Sequence, residues 1–374
     1  MLTRFFTLEQ VMVSATRFAT APRWVACLIL AALALFVVAQ VPLTPAAAAA
    51  ATAAAHPVAD QSDATLFRAT VADMRHGADF YAASVNEQRA RNYPVWPPQC
   101  IREPTEALLL WLLPNEAAAR VVLVALGLVA AEAMRRALAR AVLTPREALW
   151  GAGIVLIGVA DALAPPATVL HEVWASDFLL LSLALRRDDR WLAAVIAGVV
   201  ACLFRELALP YLCLMTLLAA WERRWREAAN WCAGCALFAA LYVIHLSLAA
   251  AQHHAGDPTS PGWIALGGIP FIIATARSNA LFVMAPAWVI AAGLGLSAIG
   301  YVGARDRLIG RCGATLALYA GLFMVAGRSD NGYWGFLYAP LLPLGLVLAP
   351  RALSDLAARF NRARQRPAAV AAPG

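Results

Sequence analysis

The polar residues of this chain are concentrated between Gln40 and Thr105, where its apolar sequence is interrupted. A carboxylate can take a proton from a hydroxyl group, and an arginine can bind a phosphate through two N–H groups. Both residue types occur here beside aromatic residues, so we predict a catalytic or binding surface in this loop. The groups concerned are Ser62-Asp63-Ala64-Thr65-Leu66-Phe67, Gly77-Ala78-Asp79-Phe80-Tyr81, Gln88-Arg89, Tyr93-Pro94 and Arg102-Glu103-Pro104.

The composition is that of an integral membrane protein. Hydrophobic residues make up 61 % of the chain and charged residues 14 %, and the mean hydropathy of +0.65 is far above that of soluble domains. The net charge of +7 is explained by basic cytoplasmic loops, so nucleic acid is not an expected partner. The seven cysteines predict no disulfide framework, and Cys232-x-x-Cys235 is expected to serve helix packing.

Ten apolar segments predict about ten membrane-spanning helices. A helix of about twenty residues crosses a bilayer, and helix is the expected structure because backbone groups in lipid must bond within their own segment. The segments are Trp24–Val41, Val121–Met134, Ala148–Ala164, Ala167–Leu185, Trp191–Phe204, Leu207–Trp221, Trp231–Leu248, Ala280–Val302, Ala314–Ala326 and Trp334–Leu348.

The arginines predict the orientation of these segments. With the N-terminus inside, most of the 30 basic residues, all of which are arginine, fall on the cytoplasmic side, as the positive-inside rule requires. Both termini are then cytoplasmic, so the number of spans is even. The basic segments are residues 4–23, 135–146, 186–190, 223–226, 305–311 and 351–366.

Two segments have alternative interpretations. Trp191–Trp221 is either one long helix kinked at Pro210 or a hairpin of two short helices that turns at Arg205-Glu206, and the basic clusters at both ends favour the hairpin. Trp24–Val41 is either a cleaved signal peptide or an uncleaved first helix, which its length favours.

The predicted fold is all-α, a single transmembrane helical bundle over residues 1–374 with a large first periplasmic loop over residues 42–105. Within that loop, Ala64–His76 predicts an amphipathic helix because apolar residues recur at helical spacing and Gly77 is a natural stop. Such a helix is typical of a membrane surface.

The predicted orientation also collects other polar residues on the periplasmic side. These groups are His171-Glu172, Arg205-Glu206, His253-His254, Asp257, Arg277 and Arg328-Ser329-Asp330-Asn331. Arg205 and Glu206 are neighbours and do not share a helix face. We therefore expect each of them to have a partner elsewhere, such as Glu172 or Asp177.

This plan resembles the GT-C glycosyltransferases, which use polyprenyl-phosphate-linked sugars on the extracytoplasmic face. The shared features are a first transmembrane helix, a large first outer loop with an early acid, a surface-lying helix and a many-helix bundle. The likeness is strongest over residues 60–104 and points to the bacterial polyprenol-phosphate-mannose-dependent branch, glycosyltransferase family 87. The strings that carry it are Asp63-x-x-Leu66-Phe67, Gly77-x-Asp79-Phe80-Tyr81, Tyr93-Pro94 and Arg102-x-Pro104, with weaker likeness in Arg205-Glu206 and Asp330-Asn331-x-Tyr333-Trp334.

The resemblance implies an inverting transfer of a mannose-like hexose from a polyprenyl-phosphate donor to a lipid, glycan or protein acceptor. It would take place at the periplasmic face of a bacterial inner membrane. The position that matches the general base is Asp63, with Asp60 as a close competitor, and nearby cations would stabilise the leaving phosphate. The candidates for substrate binding are Tyr81, Arg102, Glu172, Arg205, Glu206, Arg328, Asp330 and Asn331.

The candidate residues also have interpretations without chemistry. Asp63 is then the N-cap of the amphipathic helix or an exposed acid. Arg102 then anchors the loop to lipid headgroups or pairs with Glu103 or Glu106. Asp330-Asn331-Gly332 is a good turn sequence.

Two other functions stay open. A transporter or lipid flippase would place charges near the bilayer midplane, and Asp177 and Arg205-Glu206 give this reading some weight. A non-catalytic scaffold whose first loop binds a partner would tolerate Asp63→Asn. No metal site or other cofactor is predicted, because the adjacent His171-Glu172 do not form a site, although a divalent metal requirement stays open.

Overall fold

The computed structural model describes residues 16–41, 61–141 and 143–364, and the candidate Asp60 lies outside them. The described residues are all-helical and form no β-strand, which confirms the predicted fold class. Seven short 3-10 helices join or extend the α-helices. The α-helices are α1 (Arg23–Val38), α2 (Gln61–Arg75), α3 (Phe80–Ala90), α4 (Thr105–Leu112), α5 (Glu116–Arg140), α6 (Pro145–Val159), α7 (His171–Leu185), α8 (Leu192–Phe204), α9 (Leu209–Trp221), α10 (Trp225–Ala250), α11 (Gly268–Ala276), α12 (Ala287–Gly303), α13 (Arg307–Val325) and α14 (Leu344–Arg364).

Four helical stretches of the described chain are long and apolar enough to cross a membrane, and four more apolar helices are shorter. The helices support a membrane protein, whereas the count of ten spans stays a prediction. The long stretches are Glu116–Arg140, Trp225–Ala250, Arg307–Val325 and Ala339–Arg359, and the shorter ones are Arg23–Val38, Leu192–Phe204, Glu206–Trp221 and Ala287–Gly303.

The position predicted for the last helix, Trp334–Leu348, is wrong. Two 3-10 helices occupy Ser329–Leu337 and Ala339–Leu341, and α14 begins only at Leu344. Prolines at positions 340 and 343 cannot donate backbone hydrogen bonds, which interrupts a regular helix here. Gly335 also lies against the carbonyl oxygen of Thr275, where a Cβ atom would collide.

The hairpin interpretation of Trp191–Trp221 is confirmed, because α8 and α9 are separate helices. The end of α9 returns to the end of α7, where Glu222 lies 3.8 Å from Arg186. Arg205 occupies the bend in an extended conformation, with φ −155° and ψ 115°. The rule that neighbouring residues do not share a helix face therefore does not apply to Arg205 and Glu206.

Small residues bring the helices of the bundle into close contact. Gly300 of α12 faces Gly345 of α14, and a Cβ atom on Gly300 would collide with the Gly345 carbonyl oxygen. Gly234, between the two cysteines of the Cys-x-x-Cys string, lies against Val199 of α8. Both contacts are typical of helix packing in membranes, where small residues let backbones approach.

The predicted cytoplasmic segments meet at one end of the bundle, which we call the arginine end. Contacts link these segments, or the residue that directly follows them, to one another, which agrees with their assignment to one side of the membrane. The linking pairs are Arg305 with Thr16, Thr16 with Asp355, Arg359 with Ala21, Arg351 with Glu147, Arg307 with Asp188 and Arg186 with Glu227.

The first loop folds into a helical layer of its own. α2 begins at Gln61, so Asp63 lies in its first turn and the N-cap interpretation of Asp63 is wrong. The predicted stop at Gly77 is confirmed by its φ of +98°, which glycine adopts without strain. The apolar face of α2 is covered by protein, with Val71 and Met74 buried, so its packing partner is the layer itself.

The predicted periplasmic segment that contains His253, His254 and Asp257 closes onto this layer. Arg89 of α3 donates two hydrogen bonds to Asp257, at 2.6 and 2.9 Å. The Val95 amide donates to the Pro258 carbonyl at 2.8 Å, and the Ser260 amide donates to the Trp96 carbonyl at 2.7 Å. The two loops thus form one layer, which we call the loop end of the bundle.

Candidate functional site

A cleft of about 120 Å³ opens at the loop end between the two loops and the 3-10 helix Ser329–Leu337. It brings together five of the predicted site residues from distant parts of the chain. These are Asp63, Arg102, Arg328, Asp330 and Asn331, and the other lining residues are Leu66, Phe67, Gln88, Tyr93, Pro94, Cys100, Ser260, Trp263 and Tyr333.

Asp63 enters the cleft from the first turn of α2, with a half-buried side chain. The N-terminus of a helix carries a partial positive charge that stabilises an ionised carboxylate. Asp63 also interacts electrostatically with Arg102. Burial lowers the pKa of the Arg102 guanidinium, but the phenol of Tyr333 and the carboxylates of Glu206, Glu172 and Asp63 together raise it above its ordinary value.

Within the described part of the chain, the guanidinium of Arg102 has only long contacts to its neighbours. It donates to the Tyr333 hydroxyl at 3.4 Å and lies 3.8 Å from the Glu206 carboxylate. The Glu103 and Glu106 partners suggested from the sequence are replaced by Glu206. Since its side chain is 17 % exposed, Arg102 presents N–H groups to the cleft that are not committed to short hydrogen bonds.

Arg328 is more tightly held than Arg102. It donates to both oxygens of Asp330, at 3.1 and 2.8 Å. The Asn331 side chain accepts from the Arg328 amide at 3.1 Å. Asn331 thus stabilises the local turn, as the turn interpretation predicted, and Asp330 neutralises part of the Arg328 charge.

Arg205 lies beneath the cleft and does not line it. Its side chain is completely buried, and it donates to both oxygens of Glu206 at 2.7 and 2.9 Å. Its Nε atom is 2.6 Å from Oε1 of Glu172, but the N–H does not point at that oxygen, so this contact is an ion pair without a hydrogen bond. The guanidinium also lies over the Trp334 ring, 5.9 Å from its centroid. Glu172 was the partner expected from the sequence, whereas Asp177 is not involved.

Two buried glutamates complete this network and were not predicted as site residues. Burial raises the pKa of Glu103 well above its usual range, and the neighbouring charge of Glu206 raises it further. Burial and the charge of Glu172 do the same for Glu106. With both acids neutral, two arginines balance two carboxylates. A buried network of paired charges is expected to be stable only when balanced in this way. In the sequence, these two glutamates were indicated only by the short string Arg102-Glu103-Pro104-Thr105-Glu106.

Glu103→Gln is expected to reduce the pH dependence of stability. Glu103 keeps its proton in the folded chain but releases it in the unfolded chain above its ordinary pKa of about 4.3. Wild-type stability therefore falls as pH rises through the window from that value to the raised folded pKa. Glutamine cannot ionise, so the variant avoids this loss of about 1.4 kcal/mol for each unit of pKa shift. Thermal unfolding of the purified protein between about pH 5 and about pH 9 measures the difference.

Glu103→Ala is the matched comparison, because it removes the hydrogen bond to Glu206 as well as the proton. It is expected to destabilise the protein across the whole pH range. An unchanged pH slope in Glu103→Gln would show that Glu103 is ionised in the folded protein.

Tyr81 lies outside the cleft and anchors α3 to α10. Its hydroxyl is 3.2 Å from Nδ1 of His245, and Nε2 of His245 is 3.1 Å from the Ile101 carbonyl oxygen. A carbonyl only accepts, so Nε2 carries the proton and Nδ1 accepts from Tyr81. The prediction of Tyr81 as a substrate-binding residue has no support from this position.

The cleft combines two carboxylates, of Asp63 and Asp330, with two guanidinium groups and an aromatic wall. This set can bind an anion and take a proton from a hydroxyl group next to it. No group of three or more metal-ligating side chains occurs among residues 16–41, 61–141 and 143–364. Comparisons of the chain with protein families, with curated proteins and with solved structures found no match.

Proposed function

We propose that this chain is a membrane glycosyltransferase that moves a hexose from a polyprenyl-phosphate donor to a hydroxyl group of a lipid, glycan or protein acceptor. The observation that supports this function best is the cleft at the loop end, where Asp63 lies within electrostatic reach of Arg102. The arginine end then faces the cytoplasm and the cleft faces the periplasm of a bacterial inner membrane.

In this proposal Asp63 is the general base. It accepts the proton of the acceptor hydroxyl as that oxygen forms a bond to the anomeric carbon of the hexose. The bond from the anomeric carbon to the phosphate oxygen breaks, and the phosphate leaves with the electron pair. Because one displacement takes place from the opposite face, the anomeric configuration inverts.

Arg102 and Arg328 would bind the leaving phosphate. A guanidinium binds two phosphate oxygens at once and stabilises the negative charge that develops on them. Arg102 is the better placed of the two, because its contacts at 3.4 and 3.8 Å leave its N–H groups available. To bind the phosphate, Arg328 would give up part of its pairing with Asp330.

The aromatic residues of the cleft would bind the hexose. Phe67, Tyr93, Trp263 and Tyr333 line the cleft together with the charged groups. Trp263 has the largest ring system of the four. Its position in the cleft favours contact with the sugar ring.

Transport is the second candidate function, supported by Asp177 of α7. Its side chain is 2 % exposed, and its Oδ2 atom has no hydrogen-bond partner among the residues that the structure describes. Ionisable residues inside a membrane bundle are often functional. Asp177→Asn would abolish proton-coupled transport but leave hexosyl transfer intact, which separates the two proposals.

The proposed function is tested by incubating membranes that contain the chain with labelled polyprenyl-phosphate hexose. Such membranes supply endogenous acceptors, and label is expected to move from the donor to them. Arg102→Gln removes one donor to the developing phosphate charge, so we expect transfer to fall about 10²–10³-fold. Incorporation of label per amount of folded protein is the measurement.

Arg91→Gln is the matched control for Arg102→Gln. Arg91 belongs to the same loop, but it pairs with Glu87 and does not line the cleft. We expect its transfer rate to stay within about twofold of the wild type. Transfer no greater than in membranes that lack the chain would reject the glycosyltransferase proposal.

A further inference from the structure

A second cavity lies at the arginine end, between the first three turns of α6 and the first two turns of α14. It has a volume of about 580 Å³. Beside this cavity Gly151 of α6 lies against the Leu344 side chain of α14, and the cavity forms a notch between the two helices. This notch is far along the bundle from the cleft at the loop end.

The notch is polar at one end and apolar along its wall. Arg146, Glu147 and Arg351 lie at the polar end, and Ile154, Leu346 and Val347 form the apolar wall. Trp150 also lines the notch and is 60 % exposed. Tryptophan in such a position is typical of the level of lipid headgroups.

The charges of the notch are not balanced. Glu147 pairs with Arg351 at 3.3 Å and also accepts from the Thr144 amide at 2.8 Å in a capping box. Arg146 is exposed and forms no ion pair with any part of the chain that the structure describes. One positive charge therefore remains, and the N-terminus of α6 adds a partial positive charge beside it.

We propose that the notch binds an anionic phospholipid. Its phosphate would lie between Arg146 and Arg351, at the N-terminus of α6, and an acyl chain would lie along the apolar wall. A basic pocket between helices is suited to an anionic headgroup, while the apolar wall excludes a free phosphate ion as the main ligand. This site is separate from the proposed transfer reaction and does not depend on it.

The test compares binding of phosphatidylglycerol and phosphatidylcholine to the full chain in detergent, by native mass spectrometry and lipid titration. We expect the wild type to retain phosphatidylglycerol in preference to phosphatidylcholine. Arg146→Gln is expected to weaken phosphatidylglycerol binding about fivefold, and the combined change with Arg351→Gln is expected to weaken it further. Because Arg146 has no ion-pair partner among the described residues, its replacement is expected to leave the fold unchanged.

Arg226→Gln is the matched control, since Arg226 is an exposed arginine at the same end that does not line the notch. Its affinity for phosphatidylglycerol is expected to equal that of the wild type. Two outcomes overturn the proposal. One is an equal affinity for both lipids, and the other is an equal loss in Arg146→Gln and Arg226→Gln, which would indicate attraction by the overall surface charge.

Discussion

Replacing Asp63 with asparagine is expected to lower hexosyl transfer about 10²–10⁴-fold, the usual contribution of a general base. Asparagine has nearly the same size and keeps an acceptor oxygen, but its amide does not take a proton from a hydroxyl group. The carboxylate enters the cleft beside Arg102, where the acceptor would meet the donor. Initial rates with labelled polyprenyl-phosphate hexose, at a fixed amount of folded protein, measure this loss.

Asp73→Asn is the control for this experiment. Asp73 lies on the same helix, is half-buried and does not line the cleft, so its rate is expected to match the wild type. Thermal unfolding of both variants shows whether α2 keeps its stability when the acid in its first turn is lost. Equal rates for Asp63→Asn and wild type would reject Asp63 as the base, and a loss in Asp60→Asn instead would move the role to that residue.

Much of the fold was predictable because helices in a membrane must satisfy their own backbone hydrogen bonds. Apolar runs predicted the bundle, and the arginine clusters predicted which segments meet at one end. The last helix was misplaced because Pro340 and Pro343 were not taken into account as helix breakers and because its start also depends on a tertiary contact. Gly335 packs against the Thr275 carbonyl, and no sequence pattern within Trp334–Leu348 predicts that contact.

The cleft was predictable in part, since its central residues are exceptional for a membrane chain. Asp63 and Arg102 lie in the long first loop, and the strings that resemble the GT-C enzymes distinguish them from its other acids and arginines. The burial of Glu103 and Glu106 was not predictable, because it results from the closure of two distant loops onto each other. The pairing of Arg205 with Glu206 was not predicted, because neighbouring residues of a helix do not share a face. Arg205 instead has an extended backbone at the bend.

Arg205→Met is expected to destabilise the protein by about 3–5 kcal/mol, the usual cost of removing one partner from a buried ion pair. The guanidinium is completely buried between Glu172 and Glu206. Without it, the buried Glu172 loses its ion pair, and the half-buried Glu206 keeps the 3.8 Å contact with Arg102. Methionine fills similar space without a charge. The loss of stability therefore measures the missing electrostatic interactions and not the cost of a cavity. Thermal and denaturant unfolding in detergent measure the change.

The double variant Arg205→Met with Glu172→Gln separates the pairing from other effects. It removes one positive and one negative charge, so the remaining network of Arg102 and Glu206 is again balanced, and stability is expected to recover in part. The difference between the double change and the sum of the single changes gives the interaction energy of the pair. Simple additivity would mean that Arg205 stabilises the fold through Glu206 and Trp334 and not through Glu172.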